Sequence, residues 1–293
     1  MFHLRGAEDS SGSVVIVDID EKSLKDYGQW PWPRNQVSQL TENIIATNPI
    51  SLGFDVIFSE KDRSSPNTFL KHYKSIAKLA DNSALVELEK LFVSLPDYDK
   101  KLGEIFLNPH IIQGYRFLFR EDFLKTTDQT PQKTHKLKHI PPSISYNDVQ
   151  LITAYRPILN ISELRQGGTE GFLNLFHDEH GTVRKAPLFL LMDNVPYPSM
   201  VMEMFQSAQP STSTTLMLKP QKKGKYYQIQ SVSLGKSILK TDDFGQININ
   251  FRGPSNTFLY ISASDVLNGS EVSFLQGKHV LLGSTASGMI GMR

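Results

Sequence analysis

The chain has 293 residues, with 31 lysines and arginines against 30 aspartates and glutamates, and it has no cysteine. This length can bury a large core, and the near-zero net charge gives no overall field that would attract nucleic acid or an anionic membrane. The absence of cysteine excludes disulfide scaffolds, thiolate metal sites and cysteine nucleophiles. No apolar run reaches the roughly 18–20 residues that span a bilayer.

The first residues are predicted to lie outside the fold. Residues 1–12, MFHLRGAEDSSG, lack the apolar core and cleavage site of a signal peptide, and they end in small polar residues typical of a linker or of cloning. Residues 13–293 are predicted to form a single domain. Within it, residues 61–150 are predicted to be a more variable insertion of helices and loops.

The first strand is predicted from the segment SVVIVDID, which begins at Ser13. A continuous β-branched run indicates a strand that is covered on both faces. Strand alternation places Val14, Ile16 and Asp18 on one face. The same alternation places Asp20 on this face as well.

Both tryptophans lie in the segment GQWPWPR, residues 28–34, which we call the Trp-Pro box. Pro33 suits the first turn of a helix, and apolar residues follow at helical spacing until Asn48 and Pro49 end it. The next segment, residues 50–60 (ISLGFDVIFSE), is predicted as a second buried strand with Asp55 inside it. Strand, helix and strand together form a βαβ unit.

The middle of the chain gives weaker patterns. Residues 61–108 are predicted to be helical in pieces, and residues 110–119 (HIIQGYRFLF) to be a third strand. Residues 120–150 mix Thr, Lys and Pro without periodicity and are predicted as a long surface excursion.

Two turns are predicted in the second half, at Asp178–Gly181 and at Asp242–Gly245. Each opens with Asp, which bonds its own backbone, and closes with Gly, which accepts positive φ, so each is predicted to join the strands of a β-hairpin. Short helices are predicted after Tyr197 and Ile261, and a last strand in residues 277–288. The predicted fold class is α/β, with a central mostly parallel sheet, flanking helices and an antiparallel hairpin extension.

Four acids are candidate ligand-binding residues. Asp18, Asp20 and Asp55 lie in or beside apolar strands, where carboxylates are costly unless they are paired, hydrogen-bonded or metal-bound. Ligand crevices in open α/β sheets lie beyond the carboxyl ends of strands, and Asp20 and Glu60 are expected near such ends. Acids there also cap helices or bond loop amides, so both interpretations stay open.

The Trp-Pro box supplies three further candidates. Trp30 and Trp32 either clasp the edge of the sheet and the start of the helix, or form a platform for a ligand or partner. Arg34 either pairs with a carboxylate of the core or reaches an anionic ligand.

A phosphatase is the enzymatic alternative. VVIVDID resembles the strand and DxD opening of haloacid-dehalogenase-like phosphatases, in which Asp18 would be the nucleophile and Asp20 the acid/base around magnesium. Lys22 stands where that pattern has a small or branched residue, and the late acids at Thr241–Asp243 match a hairpin turn. The histidines show no metal spacing, and the glycine-rich residues 283–288 lack a phosphate-loop lysine. No catalytic set, metal site or cofactor is predicted.

An ordered set of segments carries a family resemblance. The segments are VVIVDIDEKSL, GQWPWPR, LGFDVIFSE, GFLNLFHDEHGTVRKAPL, YPSMVMEMFQ, INFRGPSNTF, ISASDVLNG and GKHVLLGSTA. In this order they resemble the CHASE domain of the second type, a cyclase- and histidine-kinase-associated extracellular sensory domain. The Trp-Pro box and the strands around it are the specific part, and residues 61–150 carry little of the resemblance.

The resemblance implies a non-enzymatic, periplasmic input module of a bacterial membrane receptor. In such receptors, transmembrane helices lead from the module to a cytoplasmic nucleotide cyclase, diguanylate cyclase or kinase. The expected partners are a small ligand or an envelope protein, with homodimerisation and without nucleic acid. The alternative is a module that works by homodimerisation or by contact with an envelope protein and binds no small ligand.

Overall fold

The computed structural model describes residues 6–66, 68, 70, 86–87, 90–92, 94–120, 129–132, 137–221 and 226–286. In chain order the strands are β1 (Val14–Asp18), β2 (Ser51–Phe54), β3 (Ile111–Leu118), β4 (Leu137–Ile140), β5 (Arg156–Ile158), β6 (Thr169–Phe172), β7 (Lys185–Pro187), β8 (Phe189–Met192), β9 (Val195–Pro198), β10 (Thr214–Pro220), β11 (Tyr227–Leu234), β12 (Ser237–Lys240), β13 (Gln246–Asn248), β14 (Leu259–Ser262) and β15 (His279–Gly283). The helices are α1 (Glu21–Tyr27), α2 (Arg34–Ile45), α3 (Tyr98–Ile105), α4 (Met200–Ala208) and α5 (Ala263–Leu267).

The main sheet has the order β14-β1-β15-β2-β3-β5, and β6 also pairs with β3. Its strands are parallel except for β5, which runs antiparallel to β3. The last strand of the sheet in sequence order, β15, lies between β1 and β2. The two strands of the predicted βαβ unit are therefore not neighbours in the sheet. This sheet and its flanking helices confirm the predicted fold class.

One face of the main sheet carries the larger core. Val15 and Val17 of β1 are fully buried and belong to one hydrophobic cluster with Leu40 and Ile44 of α2. Residues from α1, α3 and α5 join the same cluster. The apolar spacing that predicted α2 is therefore the spacing of its core contacts.

The opposite face is covered unevenly. Helix α4 lies over β2, β3 and β6, and a Cβ on Gly171 would lie 2.4 Å from the Cα of Met200, so the absent side chain permits this close approach. Val14 and Ile16 of β1 are only partly buried, and neither belongs to a hydrophobic cluster of the described residues. The prediction that β1 is covered on both faces is wrong at these two positions.

Two strands of the antiparallel extension, β10 and β11, were not predicted, whereas β12 is the strand predicted before the turn at Asp242. Strands β10, β11 and β12 form an antiparallel meander, with β4 parallel to β10 at its other edge. Leu216, Ile229 and Val232 bury its inner face against Met202 of α4. Strand β4 falls in the segment predicted as an irregular excursion.

The two predicted hairpins are wrong as ladders, although their turns are correct. Gly181 and Gly245 have φ of 74° and 77°, and each N–H donates to the carbonyl of the Asp that opens its turn. An isolated antiparallel bridge joins Phe176 to Lys185 beside the first turn, but β7 forms its ladder with β13 and β12 forms its ladder with β11. In the β7–β13 register the two turns lie at opposite ends of the pair.

Several predictions fall outside the described residues. They concern residues 1–5 of the leading segment, most of residues 67–93, residues 121–128 and 133–136 of the predicted excursion, and residues 287–288 of the glycine-rich segment. Helix α1, directly after β1, was not predicted, because its seven residues contain a single buried apolar side chain, Leu24.

Candidate functional site

Asp18 ends β1 and is tied to the neighbouring strand connection. The side chain is 5% exposed, and its Oδ1 accepts a hydrogen bond from the backbone N–H of Thr285 at 2.8 Å. Its Oδ2 accepts a second bond from the Thr285 hydroxyl. Both oxygens are thus engaged by Thr285, the second residue after β15, and this leaves no free carboxyl oxygen for the nucleophilic role of the phosphatase alternative.

Asp20 is the N-cap of α1. Its Oδ1 accepts from the backbone N–H and the hydroxyl of Ser23, at 2.8 and 2.7 Å, and from the hydroxyl of Ser262 at 2.8 Å. Burial acts to raise the pKa of Asp20, but these hydrogen bonds outweigh it and the pKa lies below its ordinary value of 3.8. Asp20 thereby joins α1 to the end of β14.

Asp20→Ala is expected to lower the free energy of unfolding by about 1 kcal/mol at neutral pH, because it removes a helix cap. The folded pKa of Asp20 is lower than the unfolded one, so its contribution is present above the ordinary value of 3.8 and is lost as the pH falls through the folded value. Urea unfolding across this pH range should show the two proteins converging in acid. An equal difference at neutral and acidic pH would contradict this role.

Asp55 is not where the sequence placed it, and Glu60 lies six residues beyond the end of β2. Strand β2 ends at Phe54, and Asp55 is exposed just beyond it, so the prediction of an acid inside a buried strand is wrong. Asp55 lies across from Gly283, where an added Cβ would meet the Asp55 Cβ at 3.4 Å. Glu60 is exposed and forms an ion pair of 2.8 Å with Arg63.

The Trp-Pro box places its two rings differently. Trp32 is 1% exposed, and its indole N–H donates to the carbonyl of Gly28 at 2.8 Å. Trp30 is partly buried, with ring centroids 5.8 Å from Trp32 and 6.2 Å from Phe58. The peptide bond between Trp30 and Pro31 is cis. Trp32 is thus a core residue, and Trp30 presents a ring to the surface.

Arg34, the first residue of α2, is the centre of a buried polar cluster. It is 5% exposed, and its Nη2 donates to the carbonyl of Glu60 at 2.8 Å. Its Nε lies 3.2 Å from Asp99 Oδ1, within ion-pair distance although the two groups are not aligned for a hydrogen bond. Its guanidinium carbon lies 4.3 Å from the centroid of the Phe58 ring.

Asp62 and Asp99 complete this cluster, which we call the Arg34 cluster. Asp62 Oδ2 accepts from the backbone N–H of Arg34 at 3.1 Å, and Asp99 Oδ2 accepts from the backbone N–H of Asp62 at 3.0 Å. Asp62 Oδ1 accepts both the N–H and the hydroxyl of Ser64. The cluster therefore connects the start of α2, the segment after β2 and the start of α3.

Burial has the largest effect on the pKa values of Arg34 and Asp99. It lowers the pKa of Arg34, against the opposing effect of the charges on Asp99 and Asp62. It raises the pKa of Asp99, against the hydrogen bond from Asp62 and the charge of Arg34. Arginine still stays protonated at any physiological pH, so Arg34 is a charged group held beneath the surface.

A groove of about 430 Å3 opens over this cluster. Its lining comes from two connections: residues 30–34 lead into α2, and residues 57–64 follow β2. Trp30, Ile57 and Phe58 give apolar walls, and the charged side chains of Lys61 and Arg63 stand at the rim. The groove thus lies beyond the carboxyl ends of β1 and β2, where open α/β sheets bind ligands.

The sequence missed most of this arrangement. Asp62 and Asp99 were not candidates, although Pro96 and Asp97 before Tyr98 form a recognisable helix start, and Asp97 does cap α3. A second buried ion pair, Arg165 with Glu170 at 2.5 Å, was also missed. Of the predicted candidates, Trp30, Trp32, Arg34 and Glu60 line the groove, while Asp18, Asp20 and Asp55 lie at the ends of the strands.

The chain is an α/β domain with a groove at the carboxyl ends of its parallel strands. Among the described residues there is no group of three or more His, Asp or Glu side chains that could hold a metal ion. Residues 1–292 match the CHASE2 domain family, and the chain belongs to this family of extracellular sensory domains of signalling receptors. The comparisons with curated proteins and with solved structures return no match.

Membership has two direct consequences. CHASE2 domains are sensors and not catalysts, and their location is extracytoplasmic. In the part of the chain that the structure describes, no helix is both long and apolar enough to cross a bilayer.

Proposed function

We propose that this chain is the periplasmic input domain of a bacterial transmembrane receptor, and that the groove at the Trp-Pro box is its ligand site. The signal passes through flanking transmembrane helices to a cytoplasmic cyclase or kinase. The family supports the sensory role, and the groove is the observation that carries the ligand site. Its volume lies within the range of about 300–1,000 Å3 that small-molecule sites occupy.

The Arg34 cluster gives the groove a route to the rest of the fold. A ligand that shifts residues 57–64 also shifts Glu60 and Asp62, which are bonded to Arg34 of α2. Asp62 is in turn bonded to Asp99 of α3. Ligand binding then biases two arrangements of the same helices, which is the population shift that a receptor needs.

Thermal unfolding with a panel of amino acids, sugars, organic acids and divalent cations tests this role. A ligand at about 100 times its dissociation constant stabilises the fold by about 2.7 kcal/mol. A stabilisation that is lost in Trp30→Ala and kept in Asp20→Ala supports the groove. The reverse pattern would move the ligand to the strand ends, and no shift with any compound would contradict a small-ligand sensor.

Homodimerisation without a small ligand is the second candidate function, and the open face of β14, β1 and β15 favours it. Tyr260, Ile16 and Leu281 form one row across these strands and are exposed or partly exposed. Burial lowers the pKa of His279 on this face, so its ring is neutral near pH 7. The carboxyl group of Asp18 is buried and bonded to Thr285, so this face does not present it to a second copy.

Ile16→Lys tests this second candidate. Sedimentation velocity should show wild-type chain associating as its concentration rises, and the variant should stay monomeric because the new charges face each other. Ile238→Lys is the matched control. Ile238 is 69% exposed on β12, away from the proposed dimer face, so this variant should associate as the wild type does. A monomeric wild type, or a variant that dimerises normally, would contradict the dimer face.

A further inference from the structure

One nitrogen of the buried Arg34 side chain is left over when its contacts are counted. Nη2 donates to the Glu60 carbonyl, and Nε faces Asp99. Nη1 has no hydrogen-bond partner among the described residues. Nε is fully buried without a hydrogen-bond partner, whereas Nη1 is not among the fully buried atoms of this kind. Nη1 therefore retains some accessible surface, and the open space that Arg34 lines is the groove.

A free guanidinium N–H at the floor of a groove selects the charge of a ligand. Guanidinium groups bind carboxylates and phosphates through charge-assisted hydrogen bonds and disfavour cations. Asp62 and Asp99 already set two acidic side chains against the single guanidinium of Arg34, so the cluster has no surplus of positive charge. The site therefore fits a single negative charge better than the double charge of a phosphate.

The walls select the body of the ligand. Trp30 offers a ring face, and Ile57 adds an aliphatic surface that is packed in none of the hydrophobic clusters. At the rim, the cations are occupied: Lys61 pairs with Glu163 at 2.7 Å, and Arg63 pairs with Glu60. An apolar or aromatic body is thus matched by the walls. Below the rim, Nη1 of Arg34 supplies a cationic N–H donor that has no acceptor among the described residues.

We propose that the groove binds a small monocarboxylate with an apolar or aromatic body. The carboxylate accepts a hydrogen bond from Arg34 Nη1, and the body lies against Trp30 and Ile57. This inference rests on the proposed function, since it names the class of ligand for the same groove.

Intrinsic fluorescence can follow binding directly, because the only two tryptophans of the chain are in the Trp-Pro box. The probes are phenylacetate, its neutral isostere phenylacetamide, acetate, and inorganic phosphate. We expect a saturable change with phenylacetate, and binding at least about tenfold weaker for phenylacetamide, which lacks the charge. Acetate should bind more weakly because it lacks the ring.

Two variants of Ile57 leave Arg34 and its partners unchanged. Ile57→Glu puts a carboxylate into the groove and is expected to weaken phenylacetate binding by about tenfold or more through repulsion. Ile57→Gln is the matched control with the shape of Glu and no charge. Both variants lose the aliphatic contact and should bind more weakly than wild type, and the Glu variant should bind phenylacetate about tenfold more weakly than the Gln variant. Circular dichroism melts establish that both variants are folded.

The outcomes separate this inference from the function on which it rests. Equal affinity for phenylacetate and phenylacetamide, equal binding by the Glu and Gln variants, or tighter binding of phosphate would overturn the monocarboxylate. If none of the probes binds while another compound of the thermal panel stabilises the chain through Trp30, the ligand class is wrong and the sensory groove stands. If nothing stabilises the chain, both proposals fail.

Discussion

Asp99→Ala is expected to lower the free energy of unfolding by about 3–5 kcal/mol, because it leaves the charge of Arg34 buried without its ion-pair partner. Asp99 is 3% exposed, and its other oxygen accepts the backbone N–H of Asp62, so that donor also loses its partner. Urea unfolding followed by circular dichroism measures the change.

The more exposed ion pair between Lys61, at the rim of the groove, and Glu163 provides the control. Glu163→Ala breaks the pair with Lys61, whose side chain is 56% exposed, and should cost no more than about 1 kcal/mol. The double variant Arg34→Met with Asp99→Leu should be less destabilised than Asp99→Ala, since no buried charge remains. If Asp99→Ala costs as little as Glu163→Ala, the Arg34 cluster does not hold these elements together.

Trp32→Ala should destabilise the fold by about 3–5 kcal/mol, since it removes a fully buried ring and leaves a cavity. The ring lies against Tyr27 and Trp30, with centroids 5.9 and 5.8 Å away, and its N–H is bonded to Gly28. The loss therefore disconnects α1 from the start of α2. Thermal and urea unfolding both measure it.

The neighbouring tryptophan separates structure from binding. Trp30→Ala should cost clearly less stability, because Trp30 is only partly buried, and it should remove ligand binding instead. Trp32→Phe keeps most of the volume and loses the bond to Gly28, so its cost should lie between those of Trp32→Ala and wild type. If Trp30→Ala is the more destabilising of the two alanine variants, the division of roles within the Trp-Pro box is wrong.

Local patterns were sufficient to predict the elements around the site. The apolar run of β1, the proline before α2 and the spacing of Val37, Leu40 and Ile44 are properties of short stretches, and the structure has these elements nearly as predicted. The same holds for the turns at Gly181 and Gly245, where a single residue needs positive φ.

Contacts between distant segments could not be predicted in this way. Asp62 and Asp99 are separated by 37 positions in the chain, and only the packing of α3 against α2 brings Asp99 under Arg34. The pairing of β7 with β13 is of the same kind, since a turn decides how the chain reverses and not which strand it then joins.

Asp18 and Asp55 show that the burial of a carboxylate beside an apolar strand cannot be predicted from the sequence alone. Asp18 is buried as the sequence suggested, yet Thr285, near the other end of the chain, provides both of its hydrogen bonds. Asp55 follows an equally apolar strand but is exposed, because β2 ends one residue earlier. Two carboxylates in similar sequence surroundings therefore have different environments.

The most direct test of the account is a receptor assay of the groove. The chain is displayed outside the cytoplasmic membrane in a fusion whose cytoplasmic output is a nucleotide cyclase, and cyclic nucleotide is measured with and without phenylacetate. We expect phenylacetate to change the output of the wild type and of Ile57→Gln, and to leave Ile57→Glu unchanged. An identical response of the Glu and Gln variants, or a wild type that phenylacetate does not affect although it binds, would contradict the claim that the groove is the input site.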